Sequence, residues 1–186
     1  MKKTFSHLNR RQALKAGVAG SAALATPLFF VSNAHAYTNA PTGDTVKFGF
    51  NVPQTGAYAD EGADELRAYR LAVTQLNAGG GGMLDTLMIN GESSAIVAAG
   101  GGILGKKVDF VTGDTQTKPD AARASARRMI ENDGVIMFTG GSSSGTAIAQ
   151  QSLAQDMKVV FMNGLTHSND TTGKDKKKYG FRHFFN

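Results

Sequence analysis

The segment Thr139-Gly140-Gly141-Ser142-Ser143-Ser144-Gly145-Thr146 holds residue types suited to gripping a small anion. Its glycines let backbone approach a ligand closely, and its hydroxyls supply neutral donors and acceptors. It runs from an apolar stretch into a helical pattern, so free N–H groups at the helix start, with the helix dipole, favour a carboxylate or phosphate. A serine-rich helix cap explains the same letters equally well. The Lys-Ser/Thr ending of a phosphate-binding Walker loop is missing, and the segment is not read as a nucleophile elbow.

A second polar segment, Asn163-Gly164-Leu165-Thr166-His167-Ser168-Asn169, follows the next apolar run. A carbonyl here and the Thr166 hydroxyl suit an ammonium group, and an Asn/Gly/Ser turn is the plainer account. Tyr58, in Thr55-Gly56-Ala57-Tyr58, lines a pocket wall or covers a sheet edge. Asp114 reads as a helix-proximal cap before a ligand group. His35, His167 and His183 lack metal-ligand spacing, and no Ser/His/Asp set, carboxylate pair or reactive Lys is recognisable. Neither catalysis nor a cofactor is expected. Lys174–Lys178 reads as a solvated loop.

The elements that must position these residues alternate. Thr45–Asn51 alternates apolar and polar residues as a strand does, Val52–Gly62 reads as a loop, and Ala63–Asn77 reads as a helix with Leu66, Tyr69, Ala72, Val73 and Leu76 inward. Met83–Ala99, bracketed by glycines and holding Asn90-Gly91, reads as a surface insertion with a short hairpin. Lys106–Thr112 is the second strand. Lys118–Asn132 is the second helix, with Pro119 near its start and Ala122, Ala126, Met129 and Ile130 buried. Val135–Thr139 is a strand covered on both faces, and Ser144–Asp156 a helix with Ala147, Ile148 and Leu153 inward. Lys158–Met162 and Phe181–Phe185 complete the strands.

This alternation predicts an α/β fold, a three-layer open parallel sheet with helices on both faces. In such sheets ligands sit beyond the carboxyl ends of the strands. Val52–Glu61, Gly113–Lys118, Gly140–Ser144 and Asn163–Ser168 therefore converge on one rim.

The chain has 186 residues, a formal net charge of +5 and no Cys. Disulfides, Cys-ligated zinc, thiol catalysis and a lipoprotein anchor are excluded. Residues 1–36 hold Lys2, Lys3, Arg10, Arg11 and Lys15 and no acid, which leaves 15 basic and 15 acidic residues from 37 onward. The electrostatic case for a nucleic-acid partner disappears with that segment. Met1–Lys15 is basic, Ala16–Val31 mostly small and apolar, and Ala34-His35-Ala36 places small residues at −3 and −1. That is the layout of a secretory signal cleaved after Ala36, too short and weak for a membrane span. Asn9-Arg10-Arg11-Gln12-Ala13-Leu14-Lys15 is similar to a twin-arginine signal, with Ala13 where Phe is usual. Residues 37–44 form a polar lead-in, and 45–186 one domain.

From Thr45 onward the chain resembles the leucine/isoleucine/valine-binding receptors of ABC importers. The segments KFGFNVPQTGAYADEGADELRAYRLAVTQLNAGGG (47–81), GGILGKKVDFVTGDTQTKPDAARASARRMIENDGV (101–135), MFTGGSSSGTAIA (137–149), QDMKVVFMNGLTH (155–167) and FRHFFN (181–186) carry the likeness in order and spacing. The resemblance implies the first lobe of a two-lobed type I periplasmic binding protein, without catalysis. It implies a periplasmic receptor for an amino acid or related small carboxylate or amide, delivering it to an inner-membrane ABC permease. Export of the precursor by the twin-arginine machinery goes with it. It puts Ser143 in the ligand-binding serine role, or Ser144 if the register shifts by one, and gives ligand contacts to Gly164, Leu165 and Thr166. Glu61 stands where the family often has a small or aromatic residue. The chain ends where the family crosses into its second lobe, which normally supplies an acidic partner for the ammonium, so an incomplete receptor is expected. A sensory ectodomain of the same fold and an exported enzyme with an anion-binding loop are the alternatives.

Overall fold

The computed structural model describes residues 38–41, 43–79, 88–89, 92–93, 101–103 and 105–183. The expected export signal and cleavage point lie outside the described residues, as does most of the 83–99 stretch read as an insertion. Strand β1 (Thr45–Val52) leads into helix α1 (Ala59–Asn77). A two-residue pair, β2 (Met88–Ile89) and β3 (Glu92–Ser93), runs antiparallel within the insertion. Then come β4 (Lys107–Asp114), α2 (Pro119–Glu131), β5 (Met137–Gly140), α3 (Ser144–Met157), β6 (Val160–Asn163), a short 3-10 turn (Asn169–Thr171) and β7 (Gly180–Arg182).

The five long-range strands form one parallel sheet in the order β4-β1-β5-β6-β7. Alternate residues of β1 serve opposite faces, as a strand's two-residue period requires. Val46, Phe50 and Val52 pack with Leu66 and Val73 of α1 and Val108 of β4. On the other face Ala126, Met129 and Ile130 of α2 and Ala147, Leu153 and Ala154 of α3 pack on Phe138 and Phe161. Helices thus cover both faces, as the strand–helix alternation predicted. Gly49 points at the second cluster, where a Cβ would lie 2.9 Å from that of Phe138.

Several boundaries differ from expectation for local reasons. Helix α1 begins four residues before Ala63, because Asp60 and Glu61 favour the positive end of the helix and Gly62 lies inside it. Gly62 marks a close approach rather than a loop, since a Cβ there would fall 1.9 Å from the Pro53 carbonyl oxygen. Ala72 is exposed and does not join the apolar stripe. Strand β6 starts at Val160 because Lys158 caps α3 in the left-handed conformation (φ 52°). Strand β5 begins at Met137, although Val135 is buried as expected. Strand β7 ends at Arg182, and residues 184–186 lie outside the described residues.

The lead-in is tied to the amino end of the sheet. Asn39 Nδ2 donates to the carbonyls of Ile130 (3.0 Å) and Val135 (2.9 Å), and the Thr38 hydroxyl donates to that of Met157.

Candidate functional site

After β1 the chain turns one way to β4, then crosses to β5 on the other side of β1. The order reverses between β1 and β5, which opens a crevice at their carboxyl ends. The loops after β1 and β4 are locked together there. Asp114 accepts from the N–H groups of Gln54 (2.9 Å), Thr55 (3.1 Å) and Gln116 (2.9 Å), and from the Thr55 hydroxyl (2.7 Å). Burial pushes its carboxyl up, but the Thr55 hydroxyl and these N–H groups outweigh it and hold the group below the usual carboxylate range. Gln116 and Thr117 adopt left-handed backbone, and the Tyr58 N–H donates to Thr117 Oγ1 at 3.2 Å. The Tyr58 ring is 40% exposed at the rim, so it is free to meet a ligand.

The loops after β5 and β6 lie side by side. Gly140 pairs with Asn163 across the strands, and the Gly164 N–H donates to the Gly140 carbonyl at 3.4 Å. Gly140 and Gly141 both have positive φ, 128° and 102°. A Cβ on Gly140 would strike the Asn51 carbonyl oxygen at 2.4 Å, so glycine is required by space as well as conformation.

The three serines separate. Ser142 donates to Glu65 Oε1 of α1 at 3.2 Å. Ser143 is the N-cap of α3, half-buried, and its side chain makes no capping bond. Its carbonyl accepts from Ala147 N–H (3.0 Å) and the Thr146 hydroxyl (2.7 Å). Ser144 accepts from the Ser168 N–H at 3.3 Å and so joins α3 to the loop after β6. The letters Gly141-Ser142-Ser143-Ser144-Gly145 fit the spacing of a nucleophile elbow. Ser143 has ordinary extended backbone (φ −92°, ψ 126°), not the strained turn that motif needs.

Thr166 is fully buried, and its hydroxyl donates to Asn163 Oδ1 at 2.7 Å. Its hydrogen is committed, which leaves lone pairs of the polarity an ammonium needs. Gly164 is buried beside it and Leu165 half-buried. The structure therefore brings Ser143, Ser144, Gly164, Leu165 and Thr166 to one rim. Tyr58 sits on the separate brace formed by the first two loops.

Sequence reading missed the polar layer beneath. Asn51 Nδ2 donates to the Ala122 carbonyl (2.9 Å) and to Gln150 Oε1 (2.8 Å), and Ser125 donates to Asn51 Oδ1 (2.6 Å). Glu65 was missed too. It is 6% exposed, and burial pushes its carboxyl from 4.5 up to about 7 against the Ser142 hydroxyl and the N–H groups of Leu165 and Gly141. Glu61, one turn earlier, also raises it. Tyr69 next to it is pushed up to about 12, first by burial and then by the Glu65 charge. A signal was present: Glu65 adjoins the apolar stripe of α1, where a carboxylate must find donors.

A cavity of about 380 Å³ opens at the opposite, amino end of the sheet, among Ala40, Pro41, Lys47, Asp109 and Asp133. Asp133 is spent on Arg128 at 2.8 Å. The carboxyl-end rim is the stronger candidate, because four loops, a helix start and an uncommitted serine meet there. Among the described residues no cluster of His, Asp or Glu fits a metal, and no helix is long and apolar enough to cross a membrane.

A family profile described as periplasmic binding protein matches residues 45–186. The chain belongs to the periplasmic binding protein family. Members of the family are solute-binding receptors that serve ABC transporters in the periplasm. A periplasmic binding protein from Burkholderia mallei is 25% identical with a TM-score of 0.60, over 77% of this chain and 32% of that one. A solute-binding protein from Rhodopseudomonas palustris, solved with 3,4-dihydroxybenzoic acid, is 25% identical with a TM-score of 0.57 over the same shares. A branched-chain amino acid transporter substrate-binding protein from Streptococcus pneumoniae, solved with isoleucine, is 23% identical with a TM-score of 0.58, over 76% and 34%. That last likeness shows the fold alone. No curated protein matches the chain. The chain spans about a third of the length of these solved relatives, and its parallel sheet has the type I fold of their first lobe.

Proposed function

We propose that this lobe grips the carboxylate of an amino acid or a related small acid for ABC-type import through an inner-membrane permease. The Ser143 hydroxyl, uncommitted at the amino end of α3, carries the reading. It stands with backbone donors at a positive helix end, on the strand next to the Gly164–Thr166 loop. The carboxylate lies against Ser143 and the α3 N–H groups, with Ser144 beside it. An ammonium or amide lies toward the Gly164 and Leu165 backbone and the Thr166 oxygen. Tyr58 covers the ligand from the opposite loop. The relative solved with dihydroxybenzoic acid has a carboxylate-bearing ligand, which supports this class. Export fits the same role: residues 1–36 direct the precursor to the twin-arginine machinery and are removed after Ala36.

Calorimetry with a panel of amino acids and hydroxybenzoates tests the reading. Ser143→Ala is expected to weaken the tightest ligand by about 1–3 kcal/mol, the cost of underpairing a charged group. Unchanged affinity would refute the placement.

A further inference from the structure

Glu65 is the polar group at the rim that carboxylate gripping leaves unexplained. It projects from the second turn of α1 and touches both ligand loops. Ser142 donates to its Oε1 at 3.2 Å, and a Cβ on Gly164 would lie 3.4 Å from the same oxygen. The N–H groups of Leu165 and Gly141 lie near enough to favour the anion, yet Oε2 is buried without a hydrogen-bond partner.

An ionised Glu65 is thus a resident anion, served by the Ser142 hydroxyl one residue away from the hydroxyl offered to a ligand at Ser143. Two carboxylates side by side, shielded from water, do not both stay charged. The ligand's carboxyl is the stronger acid, so the proton goes to Glu65. The Glu65 O–H then donates to Ser142 Oγ, and the Ser142 hydrogen turns free toward the ligand. One proton enters from solvent on binding and leaves on release, with no other bond made or broken.

Resting on the carboxylate-gripping reading, we propose that Glu65 is a positioning residue that couples binding of a carboxylate ligand to uptake of one proton. The groups facing it divide: Glu61 disfavours its charge, while the Ser142, Gly141 and Leu165 donors favour it. From α1, Glu61 opposes its charge, and Tyr69 is raised in turn by it. From the loop after β5 come the Ser142 hydroxyl and Gly141 N–H, and from the loop after β6 the Leu165 N–H. Burial is the largest influence and brings the carboxyl to about 7, where its proton is exchangeable at physiological pH.

Calorimetry on the full chain, with 3,4-dihydroxybenzoate (a carboxylate without an ammonium) as the probe in buffers of different ionisation heat, reads proton uptake directly. Uptake close to one proton per ligand is expected at pH 8 and close to none at pH 5.5. Affinity should weaken about tenfold per pH unit above 7. Glu65→Gln should abolish the uptake and flatten the profile. If that variant does not fold, a carboxyl-carbon NMR titration of wild-type Glu65 serves instead, with its midpoint rising when probe is added. Binding with no uptake, or an unmoved midpoint, overturns this inference alone. Failure of the probe to bind at any pH removes the gripping reading and this inference with it.

Discussion

Asp114 and Glu65 are carboxyl groups at one rim in opposite surroundings. Asp114 ends β4 beside solvent and receives four donors, so its charge is oversupplied and its affinity for a proton falls. Glu65 lies under the loops after β5 and β6 with one full hydrogen bond and an orphaned oxygen, so its affinity for a proton rises. The first pair of loops is a brace, closed by a charge that stays put. The second pair rests on a group that titrates, so the half of the rim offered to ligand is also the half open to adjustment.

Glu65→Gln is the strongest way to break that contrast. The folded carboxyl titrates at about 7 against 4.5 ordinarily. Stability linked to its proton is therefore fully present below pH 4.5 and lost as pH rises through 7. Relative to Glu65→Gln, the wild type should lose about 3 kcal/mol across that window, read from urea unfolding at pH 4.5 and pH 8. A constant difference between the two proteins would sink the description of Glu65.

Asp114→Asn gives a smaller effect of opposite sign. Asp114 titrates below its ordinary 3.8, so its contribution is present above that value and lost as pH falls through the depressed one. At pH 7 the variant should be less stable by about 1 kcal/mol, a hydrogen-bonding cost discounted for solvent screening. Thermal unfolding at pH 7 and pH 2.5 checks that the gap closes in acid.

Tyr69→Phe should matter least. It removes a 3.3 Å contact with Thr139 and keeps the ring stacked on Phe50, costing about 0.5 kcal/mol. The pH dependence of stability should persist in that variant. Its loss would mean that the Glu65 carboxyl owes its shift to the phenol and not to burial.

Much of the architecture was legible because it follows from local periodicity. Ala122, Ala126, Met129 and Ile130 recur every three or four residues, and all four are buried. The family resemblance was legible as well, through five segments that all lie within the residues 45–186 matched by the family profile. Boundaries around glycine were harder. Gly62 is the letter of a loop, and only the 1.9 Å approach of Pro53 explains its place inside α1.

The site divided along the same line. Sequence alone determined that Ser143 starts a helix after a buried strand and that Gly164–Thr166 follows the next, since chain order places strand ends and helix starts on one rim. It did not determine which serine remains uncommitted. Ser142, Ser143 and Ser144 are chemically alike, and their roles depend on Glu65 and Ser168, 77 and 24 residues away from their partners. Tertiary structure alone decided that Glu65 is a buried acid, because burial and donor supply come from three segments distant in sequence. A titrating group owes its character to neighbours that only the folded chain assembles.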